Sequence, residues 1–293
     1  MLLKDNRVEV NQGNRIGRTA FFMACLNGLI EIVKVLLNDQ RVDIHKEDMY
    51  GIRPFWIACQ YGQIEVVELL SNDERIDINQ VNKYDQSPLW VTCQSGYIDV
   101  VKLLLIFKKI DVNKGDSDGR TALHVTCSKG FIDIVKLLLN DKRIDVNKVD
   151  NDKRTAFWIA CWKGEIDIVE LLIKDERVDI NLPNKYTETP LFIACQNGQI
   201  KTVEYILASR REVNINVRND EGRSAIDMAK EMLPIDQGYW EPKEMSKKRR
   251  KNIIEFLESF ERNPNETRIK LRVHLGFAGN IFDFILFISF LSF

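Results

Sequence analysis

The sequence predicts an all-α solenoid of helix-turn-helix units joined by short β-hairpin-like loops, folded as a single elongated domain, and three recurrences carry that expectation. Cys25, Cys59, Cys93, Cys127, Cys161 and Cys195, the chain's six cysteines, stand 34 residues apart without a slip. Gly28, Gly62, Gly96, Gly130, Gly164 and Gly198 lie three residues after them. An amphipathic run follows each glycine. In FIDIVKLLL, at 131–139, Ile132, Ile134, Val135, Leu138 and Leu139 include the three- and four-residue spacings of one buried helical stripe. A period of this length marks stacked units, and it outweighs the roughly two domains that chain length alone suggests.

The spacing also settles what the cysteines are not. An even cysteine count suggests a disulfide framework, and a cluster suggests a metal. Equivalent positions of stacked helices lie roughly 8 to 10 Å apart, beyond the roughly 7 Å Cα limit for a disulfide. Zinc ligands come in pairs about two to four residues apart. One small thiol per unit is therefore expected in the core.

Within a unit the elements follow in a fixed order. A motif reading TAFF, RPFW, SPLW, TALH, TAFW or TPLF opens at Thr19, Arg53, Ser87, Thr121, Thr155 or Thr189, six residues before the cysteine. A short helix, the glycine turn and a longer helix come next. The link NDKRIDVN at 140–147 closes the unit, and its Asn140 is expected to take the left-handed conformation that ends helices. Asp43, Asp77, Asp111, Asp145 and Asp179 recur two residues before a loop asparagine, Asn79, Asn113, Asn147 or Asn181, or before His45 in the same column, and read as turn chemistry.

DGRTALHVTCSKGFIDIVKLLL, from Asp118 to Leu139, resembles the ankyrin repeat family in its turn, its T-P-L-H box, its glycine and its I-V-x-x-L-L helix. The resemblance covers about residues 1–260. Three departures stand out: the unit is one residue longer than usual, the sixth gains one residue more, and the box histidine survives only as His124. Phe22, Trp56, Trp90, Trp158 and Phe192 replace it elsewhere. The family's polar tie to the turn is therefore expected to be lost in most units, with aromatic packing in its place.

The expected organisation is the tail of a truncated upstream repeat at 1–11, then repeats at 17–50, 51–84, 85–118, 119–152, 153–186 and 187–221. A degenerate capping repeat with an insertion at 234–250 fills 222–260, and a hydrophobic tail fills 261–293. LLKDNRVEVN at 2–11 aligns with LLNDQRVDIH at 36–45, so the chain opens inside the second helix of a unit. Lys230 takes the cysteine column of the seventh, and a helix is expected only at 252–260. The basic run KKRRK at 247–251 reads as a solvated loop and helix start, with a nuclear-localisation or acidic-partner patch as the alternative. The stretch from Leu275 to Phe293 is near the roughly 20 residues that span a bilayer, but Asn280 and Asp283 lie inside it. A membrane anchor, a helix packed on the last repeat and an artefactual terminus all remain open.

Chemistry has little to work with. Three histidines, His45, His124 and His274, no phosphate-binding glycine loop and no paired-histidine motif leave no catalytic, cofactor or metal site to name. The net charge of −1 gives no reason to expect nucleic acid. Free thiols and the lack of a signal-like start point to the cytoplasm, with a membrane-associated position facing the cytosol or a nuclear one as alternatives.

The resemblance implies a non-catalytic scaffold, expected to be a monomer, that binds an unidentified protein partner on the concave face. Turn tips and the exposed side of the inner helix would carry the contacts: Ser117, Asp118, Arg120, Ser128 and Lys129 in the Thr121 unit. The same columns hold Tyr50, Tyr84 and Tyr186 at one tip position, Tyr61 and Trp162 on the helix, and Lys83, Lys185, Arg18 and Arg154 beside the tips. Tyr, Trp and Arg dominate interface hot spots. A membrane-tethered adaptor held by 275–293, and the regulatory region of a larger enzyme-containing protein, are the alternatives.

Core packing of the thiol column has a measurable consequence. Cys127→Ala is expected to cost little in urea unfolding, whereas Cys127→Leu lowers stability by about 1 to 3 kcal/mol through overpacking.

Overall fold

Most of the short inner helices start where a hydroxyl can cap them, the one that follows Arg53 being the exception, and stop where a glycine or a following polar residue releases the chain. The computed structural model describes residues 8–231 and 243–277. Helices make up its regular structure, apart from one antiparallel bridge between Arg218 and Ser224. Two compact units, Met1–Asn151 and Asp152–Phe293, are described in turn.

In the first unit the inner helices are α1 (Ala20–Leu26), α3 (Pro54–Gln60), α5 (Pro88–Ser95) and α7 (Ala122–Lys129). The outer helices are α2 (Ile30–Leu37), α4 (Ile64–Ser71), α6 (Ile98–Ile106) and α8 (Ile132–Asn140). Each of these inner helices packs on its own outer helix, and α1, α3, α5 and α7 pack in succession on one another. Thr19 and Ser87 cap α1 and α5 by accepting the amide three residues on. In α7 the Nδ1 of His124 accepts from the Thr121 amide at 3.2 Å and lies 2.8 Å from the Thr121 hydroxyl. Gly96 and Gly130 end α5 and α7 in the left-handed region, at φ 82° and 75°. Asn140 does not: it remains the last helical residue of α8, and the chain leaves in extended geometry at Asp141.

All six cysteines are free and buried. Burial pushes the thiols of Cys25, Cys59, Cys93 and Cys195 far above their ordinary range, which removes the thiolate on which cysteine reactivity depends.

The expectation that the box tie is lost needs correction. The indole Nε1–H of Trp56 donates to the Gln86 carbonyl at 2.8 Å, and that of Trp90 donates to the Arg120 carbonyl at 2.8 Å. In the second unit Trp158 donates to Glu188 at 2.9 Å. Each bond runs 30 residues forward, from an inner helix to the backbone of the following tip. An indole carries its donor on the far side of a large apolar ring, so it crosses the buried space and still satisfies the carbonyl. Phenylalanine at 22 and 192 has no such donor.

The loops are tied across repeats as well. Asn79 donates to the Lys109 carbonyl and accepts from the Asp111 amide, both at 2.8 Å; Asn113 repeats the pair with Arg143 and Asp145. Asn11 does the same with Arg41 and Asp43. His45, in the same column, makes no such side-chain bond. The links carry Asp–Arg pairs: Asp39–Arg41, Asp73–Arg75 and Asp141–Arg143 at 2.6 to 2.7 Å. Arg143 also reaches back to the carbonyls of Leu105, Phe107 and Lys108, at the end of α6, where a cation complements the helix dipole.

The second unit repeats the scheme with inner helices α9 (Ala156–Lys163), α11 (Pro190–Gln196) and α13 (Ala225–Glu231), and outer helices α10 (Ile166–Lys174) and α12 (Ile200–Ala208). Its end differs from expectation. Helix α14 runs from Lys243 to Arg262, so the basic run lies within a helix rather than in a loop, and the helix starts nine residues earlier than expected. Ile253, Leu257 and Phe260 form its buried stripe. Residues 264–274, assigned to the tail, form α15 (Pro264–His274), which packs on α12 and α14 and buries Thr267 and Leu271. Lys230 points away from the core and lies 3.9 Å from Glu258. No helix among the described residues is long and apolar enough to cross a membrane. Residues 278–293, most of the stretch considered as an anchor, lie outside the described residues.

Two measurements follow from these ties. Trp90→Phe keeps an aromatic ring but loses the bond to Arg120 and the pyrrole part of the buried indole, and lowers stability by at least about 1 kcal/mol in urea unfolding. Hydrogen bonding to Arg143 holds the Asp141 carboxyl below the ordinary aspartate range. Its stabilising effect is present above the unfolded-state value, about 3.9, and is lost as pH falls through the lower folded value. Asp141→Asn therefore flattens the stability–pH curve in the acid limb, below about pH 4, and leaves its slope near neutrality unchanged.

Candidate functional site

The tips owe their shape to one polar side chain each. Asp48 accepts from the amides of Tyr50 and Ile52 through a single carboxylate oxygen, at 2.9 and 3.1 Å. Asn82 does the same for Tyr84 and Gln86, Asp116 for Asp118 and Arg120, and Asn184 for Tyr186 and Glu188. A backbone pair closes each turn, as Asp48 N to Ile52 O at 2.9 Å. Neighbouring tips are joined by single backbone bonds: Met49 N to Ile16 O, Ser117 N to Tyr84 O, and in the second unit Lys185 N to Asp152 O. One tip position requires positive φ. Gly17, Gly51 and Gly119 fill it in the first unit, but Asp85 holds it at 58°, as Lys153 and Thr187 do at 59° and 62°. Non-glycine residues pay a conformational cost there.

The tip scaffold leaves Tyr50, Tyr84 and Tyr186 exposed, with their side chains outside the turn. Lys83 lies with its ammonium 5.1 Å from the ring centre of Tyr50 and 5.1 Å from that of Tyr84. The two rings belong to consecutive tips, and the cation between them joins them into one surface cluster. In the second unit Lys185 sits 5.0 Å from the Tyr186 ring and bonds Asp152 at 2.7 Å, while Arg154 takes the other oxygen of Asp152 at 2.9 Å. The bond to Asp152 holds the Lys185 ammonium above its ordinary pKa and the carboxyl below its own. Arg120 is half-buried and bridges Asp116 and Asp118, each at 2.8 Å.

On the inner helices Tyr61 and Trp162 are exposed, as is Lys129. Trp158 and Trp162, four residues apart, divide the work: the first is 4% exposed and bonds the next tip, the second is 38% exposed. Their ring centres lie 6.1 Å apart, and Lys163 lies 4.3 Å over the Trp162 ring.

The structure thus gathers Tyr50, Lys83 and Tyr84 into one cluster, and Arg154, Lys185 and Tyr186 around Asp152. Tyr61 and Lys129 stand without a ring or ion-pair partner among the described residues. Asp152 and Lys163 were not singled out from the sequence. The repeat register would have found Asp152, which occupies the column of Tyr50, Tyr84 and Tyr186. None of these groups forms a metal-binding set among the described residues.

The family model described as "Ankyrin repeats (3 copies)" matches residues 1–82, 40–116, 89–184 and 143–219. The chain belongs to the ankyrin repeat family. Among solved structures, the human ASB11 ankyrin repeat domain is 20% identical, with 75% of this chain and 94% of that one covered and a TM-score of 0.61. The ankyrin repeat domain of Bcl-3, described as a unique member of the IkappaB protein family, is also 20% identical, covering 72% and 94%, with a TM-score of 0.66. Likeness at this identity shows the ankyrin fold alone. No curated protein matches the chain. Ankyrin repeats are generally protein–protein interaction modules and typically non-catalytic, and the tips and inner helices described above carry the exposed aromatic side chains of this ankyrin chain among the described residues, apart from Tyr97 at the start of an outer helix.

Proposed function

We propose that this chain is a non-catalytic scaffold whose protein partner docks on the tips and the exposed side of the inner helices. The observation that carries the reading is the concentration of exposed Tyr and Trp there. Tyr50, Tyr84 and Tyr186 share one tip position, and Tyr61 and Trp162 stand on inner helices. Aromatic rings are the large apolar bodies with polar edges that anchor interfaces. The tip backbones beneath them are held by Asx bonds, and tip-to-tip bonds link several of them. The rings at linked tips keep their spacing before a partner arrives, which lowers the ordering cost of association. A reducing compartment such as the cytoplasm suits the six free, buried thiols.

The test is a partner identified by a photo-crosslinking residue placed at 84 or 162, followed by its titration. Tyr84→Ala and Trp162→Ala each weaken binding by about 2 kcal/mol or more, while the urea midpoint stays within error of the parent. An alanine scan of the tips that leaves affinity untouched sinks the assignment of the surface.

A further inference from the structure

Charged groups on the tips and inner helices separate into those already neutralised and those left over. Arg18 pairs with Asp48 at 3.0 Å and Arg53 with Glu47 at 3.7 Å. Arg120 is taken by Asp116 and Asp118, and Arg154 and Lys185 by Asp152. Lys83 and Lys129 in the first unit have no carboxylate partner among the described residues, and neither has Arg15 at its first tip. On the same tips Asp85 is the carboxylate without a cation; its oxygen lies 3.4 Å from the Ser117 hydroxyl. In the second unit Lys153 and Lys163 are likewise unpaired, and Asp220 accepts from the Thr187 hydroxyl at 2.7 Å. Lys83 thus stands on the tip face as a cation that no carboxylate among the described residues engages, although the whole chain carries −1.

We propose that the partner of this face is an acidic protein segment, and that Lys83, held between Tyr50 and Tyr84, is the ammonium that pairs with one of its carboxylates. The proposal rests on the docking face argued above and adds the chemistry of what docks. A surface lysine normally loses the freedom of four rotatable bonds when it forms an ion pair, which cancels much of the gain. Here the two rings already confine the side chain, while its three N–H donors make no hydrogen bond to protein among the described residues. The rings also supply apolar walls that shed water as a partner settles, so a carboxylate reaching Lys83 meets a cation in a less aqueous setting than open solvent. Aliphatic residues beside that carboxylate would cover Tyr50 and Tyr84. Lys129, on an inner helix, offers a further unpaired cation for a second acidic residue.

Selection of a random peptide library displayed on phage against the full chain tests this. Peptides enriched on the wild type are expected to carry Asp or Glu next to an apolar residue. Replacing those carboxylates by their amides, or making Lys83→Gln, is expected to weaken binding about tenfold. Raising salt from about 50 mM to about 500 mM should weaken the wild-type complex more than the Lys83→Gln complex. Lys83 is exposed, and an unchanged urea midpoint verifies that the variant is folded. If no enriched peptide depends on Lys83, the proposal is overturned. Dependence of those same peptides on Tyr50→Ala and Tyr84→Ala then separates the two claims: loss of binding leaves the docking face standing without its acidic preference, and indifference removes the docking face as well.

Discussion

The indole N–H of Trp90 meets the carbonyl of Arg120, and in that bond an inner helix takes hold of the tip belonging to the next repeat. Trp56 and Trp158 do the same for the tips at Gln86 and Glu188. The rings are buried, so these bonds are shielded from water and costly to leave unmade. They need the inner helices close together, which the small residues permit: alanine or threonine beside cysteine, column after column, all buried. The spacing of the tips is thereby a property of the core. A side chain standing on a tip inherits a fixed place without contributing to stability itself.

Much of this could be read from the residues in order, and the exceptions have physical causes. Thirty-four-residue spacing placed the cysteines in the core, the Thr, Ser or Arg column at the opening of each unit and the glycines at the turn between its helices. It misjudged the tryptophans, because TAFW and SPLW read as apolar and the indole donor becomes visible only once its ring is oriented. The aspartates of the loop were read as turn chemistry, but the asparagines two residues on carried no reading of their own, and Asn79 and Asn113 bridge neighbouring repeats; a bond between residues 30 and 32 positions apart has no local signature. Helix α15 was missed because PNETRIKLRVH is mostly polar, and a helix buried along a narrow stripe by Thr267 and Leu271 shows little periodicity.

The candidate site was legible as columns but not as clusters. Tyr50, Tyr84 and Tyr186 could be named from register, and they are exposed. That Lys83 would lie between two of them depends on how a long side chain crosses from one tip to the next. Arg120, Arg154 and Lys185 shared the same columns, yet the structure shows their charge already engaged by Asp116, Asp118 and Asp152. Position in the repeat therefore says which side chains are presented, and local pairing says which of them remain available to a partner.

The claim beneath all of this is that buried indoles hold the tips in place, and hydrogen exchange at the indole nitrogens measures it directly. In a 15N-labelled sample followed by NMR, Trp56, Trp90 and Trp158 should retain their indole protons until the repeats around them open, whereas the exposed Trp162 exchanges at once. Exchange of Trp56, Trp90 and Trp158 as fast as that of Trp162 would mean that the tips are not tied to the inner helices, and the account would fail at its base.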